Sequence, residues 1–123
     1  MAKTVLVVED YADTRTLMRF LLEGYGYQVI EAADGQEAVE KANEQHPDLI
    51  LMDLAMPGMD GLTATKVIRQ IYGMENMPII AVSAYGNLYH DQAAEAGFNE
   101  FINKPFDPLI LEPLLDRYLS YKH

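Results

Sequence analysis

The sequence predicts an α/β sandwich built on a parallel five-stranded sheet. Three observations carry this. Short apolar runs alternate with amphipathic helical runs from end to end. Three of the five strand-like runs are continuously apolar, as strands covered on both faces should be. Turn and cap residues punctuate each change of period.

The elements follow in order. Val5–Val8 is a strand rich in β-branched residues. Residues 12–25 place Leu17, Met18, Leu21, Leu22 and Tyr25 at helical spacing, and Gly24 and Gly26 end that helix. Gln28–Glu31 is a short second strand. Asp34 caps the second helix, with Glu37 three residues later as in a capping box, and Ala38, Val39 and Ala42 form its inner face. Leu49–Met52 is the third strand. Asp60 caps a third helix with Ala64, Val67, Ile68 and Ile71 inside. Met77-Pro78 opens the fourth strand, Ile79–Val82. A polar helix over roughly 87–96 stops at Gly97. Asn99–Ile102 is the fifth strand, and Asp107-Pro108 starts a last helix with proline at its first position. Pro113 falls inside that helix and should kink it or delay its start, at a cost of about 3 kcal/mol. Strands two and five carry Gln28, Glu31, Asn99 and Glu100, which suits sheet edges. The pattern fits the doubly wound order 2-1-3-4-5 of flavodoxin-like (βα)5 sheets, where sites form at the carboxyl ends of the strands.

Composition bounds the function. The chain has 123 residues, the size of one domain, and half are hydrophobic, enough for a packed core. It has 19 acidic residues against 9 Lys and Arg, a formal charge of −10. That argues against a phosphate backbone as direct partner and disfavours an anionic membrane surface. The absence of cysteine removes disulfides and thiolate metal sites. No apolar run is long enough for a leader or a membrane span, so the expected location is the cytoplasm.

In the order 2-1-3-4-5, chemistry converges on one rim. Strand one ends in Glu9-Asp10, strand three in Asp53 and strand four in Ser83. Lys104-Pro105 follows strand five. Clustered carboxylates repel by a few kcal/mol per close pair at an effective dielectric near ~20, and a hard divalent cation relieves that. Ser83 can donate to a phosphoryl oxygen, Lys104 can neutralise one, and Asp53 can act as a carboxylate nucleophile towards phosphorus. Singly, each has a plainer reading: Glu9, Asp10 and Asp53 as caps or loop acids, Ser83 as a loop serine, Lys104 as a solvated charge. Jointly they form the strongest signal in the chain.

Four segments, VLVVED, LILMDLAMPGMDG, PIIAVSAYG and FINKPF, carry a resemblance in order and spacing. The chain resembles the receiver domain of two-component response regulators, the family of the single-domain chemotaxis regulator, over essentially all of residues 1–123. The resemblance implies one receiver domain with no output domain after the last helix. It implies a phosphoacceptor that is not an enzyme acting on a separate substrate, but that promotes its own phosphorylation and dephosphorylation. Asp53 matches the phosphoacceptor. Asp10, Asp53 and the backbone carbonyl of Ala55 match the ligands of Mg2+, which Mn2+ can replace, with Glu9 acting indirectly or through water. Ser83 and Phe101 match the switch pair, Lys104 the phosphate-binding lysine, and Lys104-Pro105 the family's cis peptide. The implied donor is a sensor histidine kinase or a histidine phosphotransfer protein. The implied output is a changed face of helix four, strand five and helix five that engages a downstream protein, in a monomer or weak homodimer. Tyr85 would flank the phosphoryl group and shield it.

Rival readings have specific tests in the sequence. A phosphohydrolase of the haloacid dehalogenase type needs a general acid two residues after the nucleophile, where this chain has Ala55. A flavin carrier needs a phosphate-cradling loop after strand one, where this chain has EDYADTR. A degenerate receiver that serves only as a docking module remains open, because retained groups do not prove use. His46, His90 and His123 show no ligand spacing and read as surface residues. Met52, Met56, Met59, Met74 and Met77 read as core and turn packing.

Overall fold

The computed structural model describes residues 2–56, 58–71, 73–84 and 90–119, without the side chain of His90. Among these residues five strands and five helices alternate: β1 (Thr4–Val8), α1 (Ala12–Gly24), β2 (Gln28–Ala32), α2 (Gly35–Gln45), β3 (Leu49–Asp53), α3 (Gly61–Arg69), β4 (Ile79–Ser83), α4 (His90–Ala96), β5 (Glu100–Asn103) and α5 (Pro108–Leu119). All pairings are parallel and the order is β2-β1-β3-β4-β5, as predicted.

The period-2 pleat divides the central strands between two cores. Val5, Val7, Leu49, Leu51, Ile80 and Val82 face Met18 and Leu22 of α1 and Leu111 and Leu115 of α5. Leu6, Val8, Ile50, Met52 and Ile79 face Ala38 and Ala42 of α2 and Ala64 and Ile68 of α3. A smaller cluster sets Leu54 and Ala81 against Ala93 of α4, with Phe101 packed beside it. β3 and β4 are buried at every position, whereas β2 and β5 are mostly half-exposed. Alternation within a continuously apolar strand thus serves two helical layers, which is why no polar face interrupts it.

Capping sets the helix starts. Asp34 accepts from the Glu37 N–H at 2.8 Å, and Asp60 accepts from the Thr63 N–H at 2.8 Å. The Glu37 carboxylate reaches back, but to the Ala33 N–H at 2.7 Å, one residue before the cap. Asp107 Oδ1 accepts from the Leu109 N–H at 2.9 Å, so α5 begins at Pro108 and its start is not delayed. Pro113 lies inside α5 and has no N–H for the Leu109 carbonyl. Leu109 is exposed, so water can serve that carbonyl.

Two expected core residues face outward: Leu17 and Val67 are exposed. Each directly precedes a buried residue, Met18 and Ile68. One residue turns a helix by about 100°, and that turn carries Leu17 and Val67 off the buried side of their helices. Thr65, not Val67, completes the buried side of α3. β5 starts one residue later than predicted, and the exposed Asn99 side chain bonds the start of β4. Its Oδ1 accepts from the Ile79 N–H at 2.8 Å and from Arg69 at 2.9 Å. The first residues of the predicted fourth helix, 87–89, lie outside the described residues. Gly97 ends α4 with φ +106°, a value that favours glycine.

The loop after β3 is closed against the strand end. Gly61 donates its N–H to the Leu54 carbonyl at 3.2 Å. A Cβ on Gly61 would lie 2.2 Å from the Asp53 carbonyl oxygen, backbone that cannot step aside cheaply. Gly61→Ala is therefore expected to destabilise the protein by about 1–3 kcal/mol, measured by urea unfolding. Wild-type stability in that variant would contradict the close approach.

Candidate functional site

Sheet register builds the site. Val8 pairs with Met52 and Asp53 pairs with Val82, so Glu9, Asp53 and the end of β4 emerge beside one another. Ser83 pairs with Asn103, which brings Lys104 to the same rim, and the Lys104 N–H donates to the Ser83 carbonyl at 2.8 Å. The Lys104–Pro105 peptide is cis. The crevice, about 290 Å³, is lined by Glu9, Asp10, Asp53, Ala55 and Lys104, with Tyr11, Thr14 and Ala84 around them.

The charges are close and unevenly paired. Lys104 Nζ donates to Glu9 Oε1 at 2.6 Å and to Asp53 Oδ2 at 3.3 Å. Glu9 Oε2 accepts from the Tyr11 N–H at 3.1 Å, so both Glu9 oxygens are engaged. Asp53 Oδ1 accepts from the Ala55 N–H at 3.2 Å. Glu9 and Asp53 are both buried, whereas Asp10 is exposed.

Burial pushes the Asp53 carboxyl up, from an ordinary 3.8 to about 7. The neighbouring Glu9 charge adds to that rise, and Lys104 and the Ala55 N–H only partly counter it. Burial also works against the Lys104 ammonium. Its bonds to Glu9 and Asp53 outweigh this and hold it above the usual lysine range.

Glu9, Asp10 and Asp53 each bring one carboxylate oxygen within 4.8 Å of the others. Hard oxygen donors in an open crevice, one buried acid under-compensated and one exposed, fit a divalent cation such as magnesium. Ala55 lines the same crevice.

Two of the predicted residues do not line the crevice. Ser83 is fully buried at the end of β4, and Ala84 takes the lining position instead. Phe101 is half-buried against the Leu54, Ala81 and Ala93 cluster. It borders a hollow of about 360 Å³ on the α4–β5 side. Tyr85 lies outside the described residues. Sequence reasoning missed Thr14 and Arg15. Arg15 donates to the Glu9 carbonyl, and its position in the first turn after the acidic pair was the available signal.

Residues 5–115 match the family of response regulator receiver domains. A curated relative of Leptolyngbya boryana, an uncharacterized 14.6 kDa protein, is 41% identical over 93% of this chain and 88% of its own length. The polar-differentiation response regulator DivK of Brucella ovis is 36% identical over 93% of this chain and 94% of its own. Among solved structures, the receiver domain of a Pseudomonas aeruginosa sensor histidine kinase superposes with a TM-score of 0.89. It is 36% identical, covers 96% of this chain and 98% of that one, and holds a magnesium ion in its active-site cleft.

The raised Asp53 pKa has a stability consequence. Asp53 favours the folded state in its neutral form. That contribution is complete below pH ~4 and is lost as the pH rises through about 7. Asp53→Asn fixes the neutral form and leaves Lys104 paired with Glu9. In EDTA at pH ~8 the variant should be more stable than wild type by roughly 1–2 kcal/mol, and the two should converge near pH ~4. Melting curves against pH measure this, and equal stabilities across the range would contradict it.

Proposed function

The chain belongs to the family of response regulator receiver domains, and from that premise we propose that it is a phosphorylation-driven signalling switch with Asp53 as the phosphoacceptor. The observation that carries this reading is the buried Asp53 carboxylate, 3.3 Å from Lys104 in a crevice shared with two further acids. The donor is the phosphohistidine of a sensor kinase or phosphotransfer protein. An Asp53 carboxylate oxygen attacks phosphorus in line, the P–N bond breaks, and the imidazole leaves with the electron pair and takes up a proton.

Asp10, Asp53 and the Ala55 carbonyl are the groups that would hold magnesium. Glu9 acts from behind them, because its two oxygens are engaged by Lys104 and the Tyr11 N–H. A bound magnesium ion supplies neutralisation of the phosphoryl oxygens. Lys104 supplies a second positive charge to the same oxygens and, once drawn towards them, loosens its bond to Asp53.

Phosphorylation adds acceptor oxygens at the β3 end. The Ser83 hydroxyl, in the last position of the adjacent β4, is the donor proposed to move towards them. Phe101 pairs with Ala81, two residues before Ser83 and on the same face of β4, so a movement of the Ser83 side chain would alter its packing. The α4–β5–α5 face would then shift between two packings and engage a protein partner. Tyr85 shielding of the acyl phosphate belongs to the same proposal. Formation and hydrolysis of the phosphoryl group use the protein's own residues, so it acts as a switch with self-catalysed turnover. The −10 charge favours a basic partner surface, and the site lies in an aqueous compartment supplied with histidine kinases, the cytoplasm. Among the described residues no helix is long and apolar enough to cross a membrane.

Incubation with magnesium and a small acyl phosphate, followed by intact mass measurement, tests the reading. One phosphoryl group should be added. The addition should disappear in Asp53→Asn and in EDTA, and should slow by at least about tenfold in Lys104→Met. No addition with any phosphodonor would leave the docking-module reading.

A further inference from the structure

Arg15 lies in the first turn of α1 with its side chain mostly covered. Its Nη1 donates to the Glu9 carbonyl at 2.8 Å, and its Nε donates to Glu31 Oε1 of β2 at 3.1 Å. Glu31 is itself held from three sides. Its other carboxylate oxygen pairs with Arg19, and its backbone carbonyl accepts from Lys41 Nζ at 3.2 Å. The guanidinium therefore spans from an anchored acid on the edge strand to the backbone at the end of β1.

The Glu9 carbonyl belongs to the peptide that joins Glu9 to Asp10. That peptide is planar, so a grip on its oxygen sets the orientation of the Asp10 backbone nitrogen in the same plane. The other side of Glu9 is fixed too, because its N–H donates to the Ala32 carbonyl at 3.1 Å. Asp10 is the exposed member of the three acids, and the point from which its side chain starts is fixed by its backbone. We propose that Arg15 is a positioning residue for the acidic pair: by holding the Glu9 carbonyl it directs Asp10 into the crevice and sets the affinity for a divalent cation. This inference rests on the metal site proposed above.

Charge and position act in opposite directions here, which makes the role separable. Arg15 carries a positive charge one hydrogen bond from the backbone that joins Glu9 to Asp10. By Coulomb's law alone, its removal should tighten binding of another cation. A positioning role requires the reverse.

The experiment is calorimetric titration of the unphosphorylated full chain with magnesium chloride, with melting curves to establish folding. Arg15→Gln should bind magnesium about tenfold more weakly than wild type, in the range seen for residues that orient metal ligands. Arg15→Lys keeps the charge but has one ammonium for two acceptors. It should bind about threefold more weakly, and it decides the question if Arg15→Gln does not fold. Arg117→Gln removes an equal charge from the exposed pair with Glu100 and should bind as wild type does or slightly tighter. Wild-type or tighter affinity in Arg15→Gln, or wild-type affinity in Arg15→Lys, overturns the positioning role. Absence of magnesium binding in the wild type overturns the metal site itself, and this inference with it.

Discussion

Lys104 sits 2.6 Å from Glu9 and 3.3 Å from Asp53, and both carboxylates are buried. One ammonium shared unequally between two covered acids leaves Asp53 short of positive charge. The rest of the site follows from that shortage. Asp53 is driven towards its neutral form, and three close carboxylates form a cluster that could hold a metal ion. The arrangement is costly to the fold, and it persists because the strands that end there are anchored in two cores.

That anchoring is mechanical as much as hydrophobic. The parallel register delivers Glu9, Asp53 and Ser83 to one edge, and none of the three can shift without breaking ladder bonds through β1, β3 or β4. Gly61 packs against the Asp53 carbonyl from the loop side. Arg69 does a similar service on the far face. It donates to the Gly97 carbonyl at 2.7 Å and to the Met74 carbonyl at 3.0 Å, tying the C-terminus of α3 to the end of α4. The Asp53 carboxylate thus stands on rigid backbone, while the face around α4 and Phe101 is joined to it through the small cluster of Leu54, Ala81 and Ala93.

Much of the fold was legible in the sequence, because strand burial on both faces and capping chemistry both leave local marks. Leu49–Met52 could be read as a central strand, and Asp34 and Asp60 as caps, from a few residues each. The misses come from tertiary geometry. Leu17 and Val67 are apolar at helical spacing, yet each lies on the flank of its helix beside the residue that meets the sheet. The start of β5 falls just after Asn99, whose side chain bonds the start of β4, which composition does not encode. At the site, the residue types and their strand ends were readable. That Glu9 takes the shorter bond to Lys104, that Ala84 rather than Ser83 lines the crevice, and that Arg15 reaches the Glu9 carbonyl depend on side-chain packing across elements far apart in the chain.

The dependence of the Asp53 charge on the cations around it is the core of this account, and carboxyl carbon NMR of the isotopically labelled protein reads it directly. Without metal, the Asp53 carboxyl should titrate near pH about 7. With saturating magnesium, the ion favours the carboxylate and the titration should fall well below that value. An Asp53 carboxyl that titrates at an ordinary 3.8 without metal, and does not move when magnesium is added, would contradict the account.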